Sequence, residues 1–114
     1  MTRGLAGMDT AFQAVIGTGH PVIGILAEYD ALSGLSQEAG ALEPIARAGI
    51  ESGHGCGHNL LGTGAVGAAL LLRDYLEENG NLGTVMLLGC PAEEGGAGKH
   101  IWLALVCLTD WILH

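Results

Sequence analysis

The apolar residues of this chain fall into short runs set between glycine-rich or charged stretches. Ala11-Phe12-Gln13-Ala14-Val15-Ile16 is followed by Gly17-Thr18-Gly19-His20-Pro21, which predicts a strand entering a tight connection. Val22-Ile23-Gly24-Ile25-Leu26-Ala27 shows no polar alternation, the signature of a strand buried on both faces beneath helices. These two runs are expected to lie side by side. Residues 31–52 are punctuated by Ser33, Gly34, Ser36, Gly40, Pro44, Gly49 and Ser52, and read as a long loop with room for a helical turn around Leu35 to Ala39. Structureless loops of that length are uncommon in compact domains and are often functional. A helical pattern follows from about Leu60 to Glu78, with Asn59 as the expected N-cap. Gly62, Gly64 and Gly67 interrupt its leucines; each costs about 1 kcal/mol relative to Ala, so they predict close backbone approach to a sheet or a site. Gly83-Thr84-Val85-Met86-Leu87-Leu88-Gly89 is the next apolar strand.

Strand, helix, strand in that order predicts an α/β fold in which the two strands run parallel. Parallel strands bring their carboxyl ends to one edge, where ligands of open α/β sheets bind. Glu28, Tyr29 and Asp30 leave the first buried strand at that edge, and Glu93 and Glu94 leave the second. The entry to the helix, Gly53-His54-Gly55-Cys56-Gly57-His58-Asn59, lies there too.

This convergence changes the weight of two weak motifs. Cys56 and His58 are donors suited to zinc, and with less thiolate preference to manganese or cobalt. Gly55 and Gly57 would let residues two apart face one ion, and the helix N-terminus would lower the thiol's pKa. Taken alone, Cys-x-His is better described as a small buried cysteine beside a hydrogen-bonded histidine. Adjacent Glu93 and Glu94 are by themselves an ordinary solvated pair. After a buried strand and between Pro91 and Gly95-Gly96, they could divide ligation from proton transfer.

Composition narrows the classes. The chain has 114 residues, enough for one small domain, 49% apolar residues and only 14% charged ones. With 20 glycines the apolar-plus-glycine share reaches about two-thirds, as in a core segment whose apolar faces are meant to be covered. The net charge of -8 and four basic residues leave no basic stripe for nucleic acid or an anionic membrane. Three cysteines without matched spacing argue for reduced thiols in a cytoplasmic setting, and no Cys-x-x-Cys supports a thiol redox module. The N-terminus has no apolar run of a signal peptide, and the uncharged stretch Leu60 to Leu72 is short of the ~20 residues that span a bilayer.

Three blocks, Gly24-Ile25-Leu26-Ala27-Glu28-Tyr29-Asp30-Ala31-Leu32, Gly53-His54-Gly55-Cys56-Gly57-His58-Asn59-Leu60-Leu61-Gly62 and Pro91-Ala92-Glu93-Glu94-Gly95-Gly96, together resemble the metal-dependent amidohydrolases of the aminoacylase and carboxypeptidase superfamily. The nearest likeness is to the p-aminobenzoyl-glutamate hydrolase and related dipeptidase branch, over residues 4–99. The resemblance implies a partial zinc-peptidase-like αβα sandwich with a mostly parallel central sheet, spanning 1–114 without the family's lid or dimerisation domain. It implies hydrolysis of an amide bond in an N-acyl amino acid or dipeptide-like substrate, with one or two divalent metals, zinc or manganese. Cys56, His58 and Glu94 match metal ligands, Glu93 the general base, and Asp30 a supporting acid. Glu28 stands where other branches carry a ligand histidine, and His114 stands a few residues short of a further one. Family members dimerise through the domain this chain lacks. After Lys99 the likeness fades: residues 100–114 form a divergent, apolar tail. Two readings follow: part of a hydrolase centre, inactive alone, or a non-enzymatic remnant or interaction fragment with at most residual metal binding.

Overall fold

Every residue from Gly83 to Cys90 is buried, and the rest of the fold is arranged around that strand. The structure is a computed structural model that describes residues 1–80, 82–96 and 98; His100, Cys107, His114 and the divergent tail lie outside the described residues. The elements are β1 (Thr2–Arg3), a 3-10 turn (Leu5–Gly7), β2 (Phe12–Glu28), β3 (Leu32–Ser33), β4 (Ser52–Gly53), α1 (His58–Glu78), β5 (Leu82–Cys90) and α2 (Glu93–Gly96). The fold is mixed α/β, with a sheet of β1, β2 and β5 and a separate ladder of β3 and β4.

The two apolar runs expected to pair with each other do not. They are the two arms of β2, and β5 enters between them. Val22 to Glu28 pair with Thr84 to Cys90 in the same direction, whereas Phe12 to Thr18 pair with Gly89 to Leu82 in the reverse direction. Met86 has both Val15 and Gly24 as partners, so β5 is paired along both edges. The physical reason lies in the two sequences. The link at Gly19-His20-Pro21 is too long for a two-residue hairpin turn, and Pro21 offers no amide to a ladder. It wraps the start of β5, where Thr84 Oγ1 donates to the Gly19 carbonyl at 2.8 Å. The parallel pairing expected of the strand-helix-strand unit is that of the second arm with β5; β1 adds to the first arm in antiparallel sense.

Alternation along β5 sorts the core into two faces. Val85 and Leu87 meet Ala27 and the helix residues Ala65, Ala69 and Leu76. Met86, Leu88 and Cys90 meet Ala11 on the other face, with Leu5, Met8 and Val22 beside them. Alanines at the contact let α1 lie close to the sheet, and burying Leu76 contributes roughly 2 kcal/mol. The outer face of α1 stays apolar and open: Leu60 is 75% and Leu71 73% exposed, as the low share of charged residues suggested. No described helix is long and apolar enough to cross a membrane.

Residues 34–51 form an excursion closed by β3 and β4, with Leu32 opposite Gly53 and Ser33 opposite Ser52. No helical turn forms at Leu35 to Ala39. The Gln37 side chain substitutes for one: its amide nitrogen donates to the Glu43 carbonyl at 2.8 Å and its oxygen accepts from the Ile45 amide at 3.1 Å.

The glycines of α1 separate into two kinds. A Cβ on Gly62 would lie 2.8 Å from the Glu28 carbonyl oxygen and 3.4 Å from Tyr29 Cβ, so this glycine lets the helix touch the strand exit. Gly64 and Gly67 face open space among the described residues, which corrects the expectation that all three mark close approach. Gly62→Ala is therefore expected to lower stability by about 1–3 kcal/mol, while Gly64→Ala raises it by about 1 kcal/mol. Urea unfolding midpoints of the two variants should move in opposite directions.

Candidate metal centre

Three pieces of chain meet at the carboxyl edge of β2 and β5. Glu28 ends β2, and Tyr29 is held just beyond it. The Tyr29 hydroxyl donates to the Thr10 carbonyl, and its ring stacks on Phe12 with centroids 6.0 Å apart. That anchoring fixes the next residue, Asp30. On the neighbouring strand, Pro91 and Ala92 turn the chain out of β5, Ala92 in the left-handed region with φ 58°. Glu93 and Glu94 then form the first turn of α2.

The third piece is the start of α1. Gly57, not Asn59, is the N-cap, with φ 89° and no side-chain cap. A left-handed φ at this point favours glycine. It lets the helix begin two residues before the expected Leu60, so His58 enters the first turn and is buried. Leu35 backs the preceding segment: a Cβ on Gly53 would lie 1.8 Å from the Leu35 carbonyl oxygen. No pattern signal in the sequence marked Leu35 or Gln37 as supports, because isolated residues of a long loop carry no periodicity.

His58 is the hub. Its Nδ1 lies 3.0 Å from Asp30 Oδ1. Its Nε2 lies 3.4 Å from Glu28 Oε2, 3.9 Å from Glu93 Oε2 and 3.9 Å from Glu94 Oε1. The other oxygen of Asp30 accepts the Glu94 amide at 3.2 Å. Two sets of donor atoms result, each within 4.8 Å of one another: Cys56, His58 and Glu94, and Glu28, His58 and Glu93. The structure thus brings together six of the residues singled out by the sequence, Glu28 among them; His114 lies outside the described residues.

The electrostatics are those of an anionic pocket around one imidazole. Burial disfavours the charged ring, but the hydrogen bond to Asp30 and the charges of Asp30, Glu28 and Glu94 outweigh it and raise the His58 pKa. Burial disfavours the Asp30 carboxylate, yet the Glu94 amide, its own amide and His58 outweigh that and lower the Asp30 pKa. The hydrogen bond to Glu94, the charge of Glu94, partial burial and the charges of Glu93 and Glu28 push the Cys56 thiol up. This reverses the expectation that the helix N-terminus would lower it. A helix end carries about half a unit of charge, and three carboxylates exceed it.

A buried imidazole, a thiol and clustered carboxylates are a donor set that fits a divalent cation. Nδ1 is engaged by Asp30, which leaves Nε2 to face a ligand, the usual arrangement of a carboxylate–histidine–metal group. The metal-free protein offers a direct check on this geometry. His58 holds its proton more tightly when folded, so its contribution to stability is complete below the ordinary value of 6.5 and is lost as pH rises through the raised folded value. Asp30→Asn should lower the His58 pKa in chelator-treated protein, read from the imidazole proton shifts by NMR. An unchanged titration would mean that Asp30 does not hold the ring.

Comparison with known proteins agrees with the three sequence blocks. The profile of peptidase family M20/M25/M40 matches residues 24–108. Over 99 residues, 87% of this chain, it is 54% identical to a p-aminobenzoyl-glutamate hydrolase subunit of Escherichia coli (strain K12). It is 43% identical over 73% of its length to IAA-amino acid hydrolase ILR1-like 5 of Arabidopsis thaliana, and 37% identical over 82% to the Xaa-Arg dipeptidase of Mus musculus. These alignments cover 21%, 18% and 20% of the three relatives, so the chain spans about a fifth of their length. No solved structure matches the chain. With most of its residues within the family profile and its site at the edge where those blocks meet, the chain belongs to peptidase family M20/M25/M40.

Proposed function

We propose that this chain carries part of the centre of a metal-dependent amidohydrolase acting on an N-acyl amino acid or dipeptide-like substrate. The observation that carries the proposal is the convergence of a thiol and three glutamates on one buried histidine, the glutamates on its Nε2 side. The names of the relatives support the substrate class: two are named for hydrolysing an amino acid conjugate, one for cleaving a dipeptide.

Cys56, His58 through Nε2, and Glu94 would hold the cation, zinc or manganese. One imidazole nitrogen has one lone pair in its plane, so the two donor sets compete for His58. Thiolate and imidazole together favour the Cys56 set for a zinc-like ion. A bound divalent cation supplies Lewis acidity toward water and toward a carbonyl oxygen. Glu93 is then left as the base. It takes a proton from the attacking water and returns it to the leaving amine nitrogen as the amide bond breaks. Asp30 fixes the ring of His58 and, through the Glu94 amide, the start of α2. Glu28 completes the anionic wall. The helix and sheet would form two layers of an αβα sandwich, with the open apolar residues Val15 and Leu26 on β2 available to a further layer.

Metal content per chain tests this reading, on protein purified without chelator or metal-affinity tag. Near-stoichiometric zinc or manganese is expected in the wild type, lost in Cys56→Ala and in Glu94→Ala, and kept in Glu93→Gln. A folded wild-type chain free of metal would overturn the proposal.

We propose further that the 114-residue chain does not turn over substrate, because it spans only about a fifth of the length of the relatives named for these activities. Release of glutamate from p-aminobenzoyl-glutamate should stay at background with zinc or manganese added. Metal-dependent release lost in Glu93→Gln would show a complete centre instead.

A further inference from the structure

A second feature borders the metal centre and has no role in holding it. Between the excursion 34–51 and the Gly53-His54-Gly55 segment lies an open groove of about 460 Å³. Leu35 and Ile50 provide its apolar walls, and Ser36, Gln37, Arg47 and His54 its polar positions. Cys56 follows Gly55 directly, so the groove ends one peptide unit, about 3.8 Å between Cα atoms, from a candidate ligand.

The charge of this groove is unlike that of the rest of the chain. The protein carries twelve acidic residues against four basic ones, yet among the described residues no aspartate or glutamate lines the groove. Arg47 does, and among the described residues its guanidinium forms no ion pair. Arg73, by contrast, is paired with Asp74 and Glu77. The backbone of Arg47 is held in place: its amide donates to Ser36 Oγ at 3.0 Å, and Gln37 ties the segment on either side of Glu43 and Ile45. A fixed backbone, an unpaired guanidinium and two apolar walls match a ligand with an apolar body and a carboxylate.

We propose that this groove is a substrate subsite. Arg47 pairs with the free carboxylate of an N-acyl amino acid, whose apolar side chain rests on Leu35 and Ile50, and the scissile amide is directed toward Cys56 and the glutamates. The assignment of that carboxylate to a substrate rests on the hydrolase reading; the binding of a carboxylate by the groove does not.

The experiment is an NMR titration of the isotope-labelled 114-residue chain with N-acetylleucine and with its neutral amide, N-acetylleucinamide. Saturable shifts are expected at the amides of Ser36, Gln37, Ile50 and Gly53 with the acid. Binding should be about tenfold or more weaker with the amide, and with the acid in Arg47→Gln. Arg3→Gln should bind as the wild type does. Equal binding of acid and amide, unchanged binding in a folded Arg47→Gln, or no saturable shift in the wild type at millimolar acid would each overturn the proposal. The comparison of acid with amide on the wild type decides the matter even if Arg47→Gln does not fold. Metal content of the wild type separates the two readings: acid-selective groove binding by a chain that holds no metal would keep the carboxylate site and sink the hydrolase centre.

Discussion

One carboxylate joins the three parts of the site. Asp30 accepts from the Glu94 amide with one oxygen and meets His58 Nδ1 with the other. Those partners lie 64 and 28 residues away in sequence. A strand exit, a helix entry and the turn after the central strand are thereby held in one register. A partly buried carboxylate can do this because each of its oxygens has two acceptor positions. Hydrogen bonds to the ionised form also keep it ionised.

Asp30 can serve in this way only because the sheet brings the three parts within reach. β5 is apolar at nearly every position, and a strand buried on both faces needs partners for all its backbone groups. The two arms of β2 provide them on both edges. One arm runs parallel to β5 and ends with it, Glu28 opposite Cys90. Glu28, Asp30 and the Glu93-Glu94 turn consequently emerge at one level. Gly62 admits α1 to contact with the Glu28 carbonyl, which sets the start of the helix, and His58 with it, at that same level.

Much of this was legible in the sequence. Apolar runs identified the strands, but only β5 is buried on both faces: Ile23 and Leu26, in the run expected to be covered on both sides, are exposed. The order strand–helix–strand implied parallel pairing, and parallel pairing brought Asp30, Cys56, His58 and Glu94 to one edge. What escaped was set by interactions that leave no periodic trace. The insertion of β5 between the arms of β2 depends on edge pairing, which hydropathy does not record. Asn59 has the better capping propensity, yet Gly57 caps the helix because the backbone there turns through a left-handed conformation. Much of the order within residues 34–51 comes from two side chains, Gln37 and Ser36, bonding to main-chain groups. The sign of the Cys56 shift was missed because it is set by three glutamates that only the tertiary fold brings near.

The same gathering of charge makes this edge one that a cation would stabilise. Glu28 and Glu93 offer oxygens within 4.8 Å of one another; two like charges at that spacing repel by roughly 3 kcal/mol at an effective dielectric of about 20. Protonated His58 lies within ion-pair distance of Glu28, Asp30, Glu93 and Glu94 and relieves part of this repulsion. Salt and solvent screen part of the excess, since the glutamate side chains are between 14% and 28% exposed. A divalent ion held there would add two positive charges where these carboxylates meet, and would favour the folded arrangement, because the unfolded chain does not gather these donors. Its binding free energy would therefore add to folding stability. The carboxylates that would hold a cation are the ones whose mutual repulsion the metal-free fold bears at this edge.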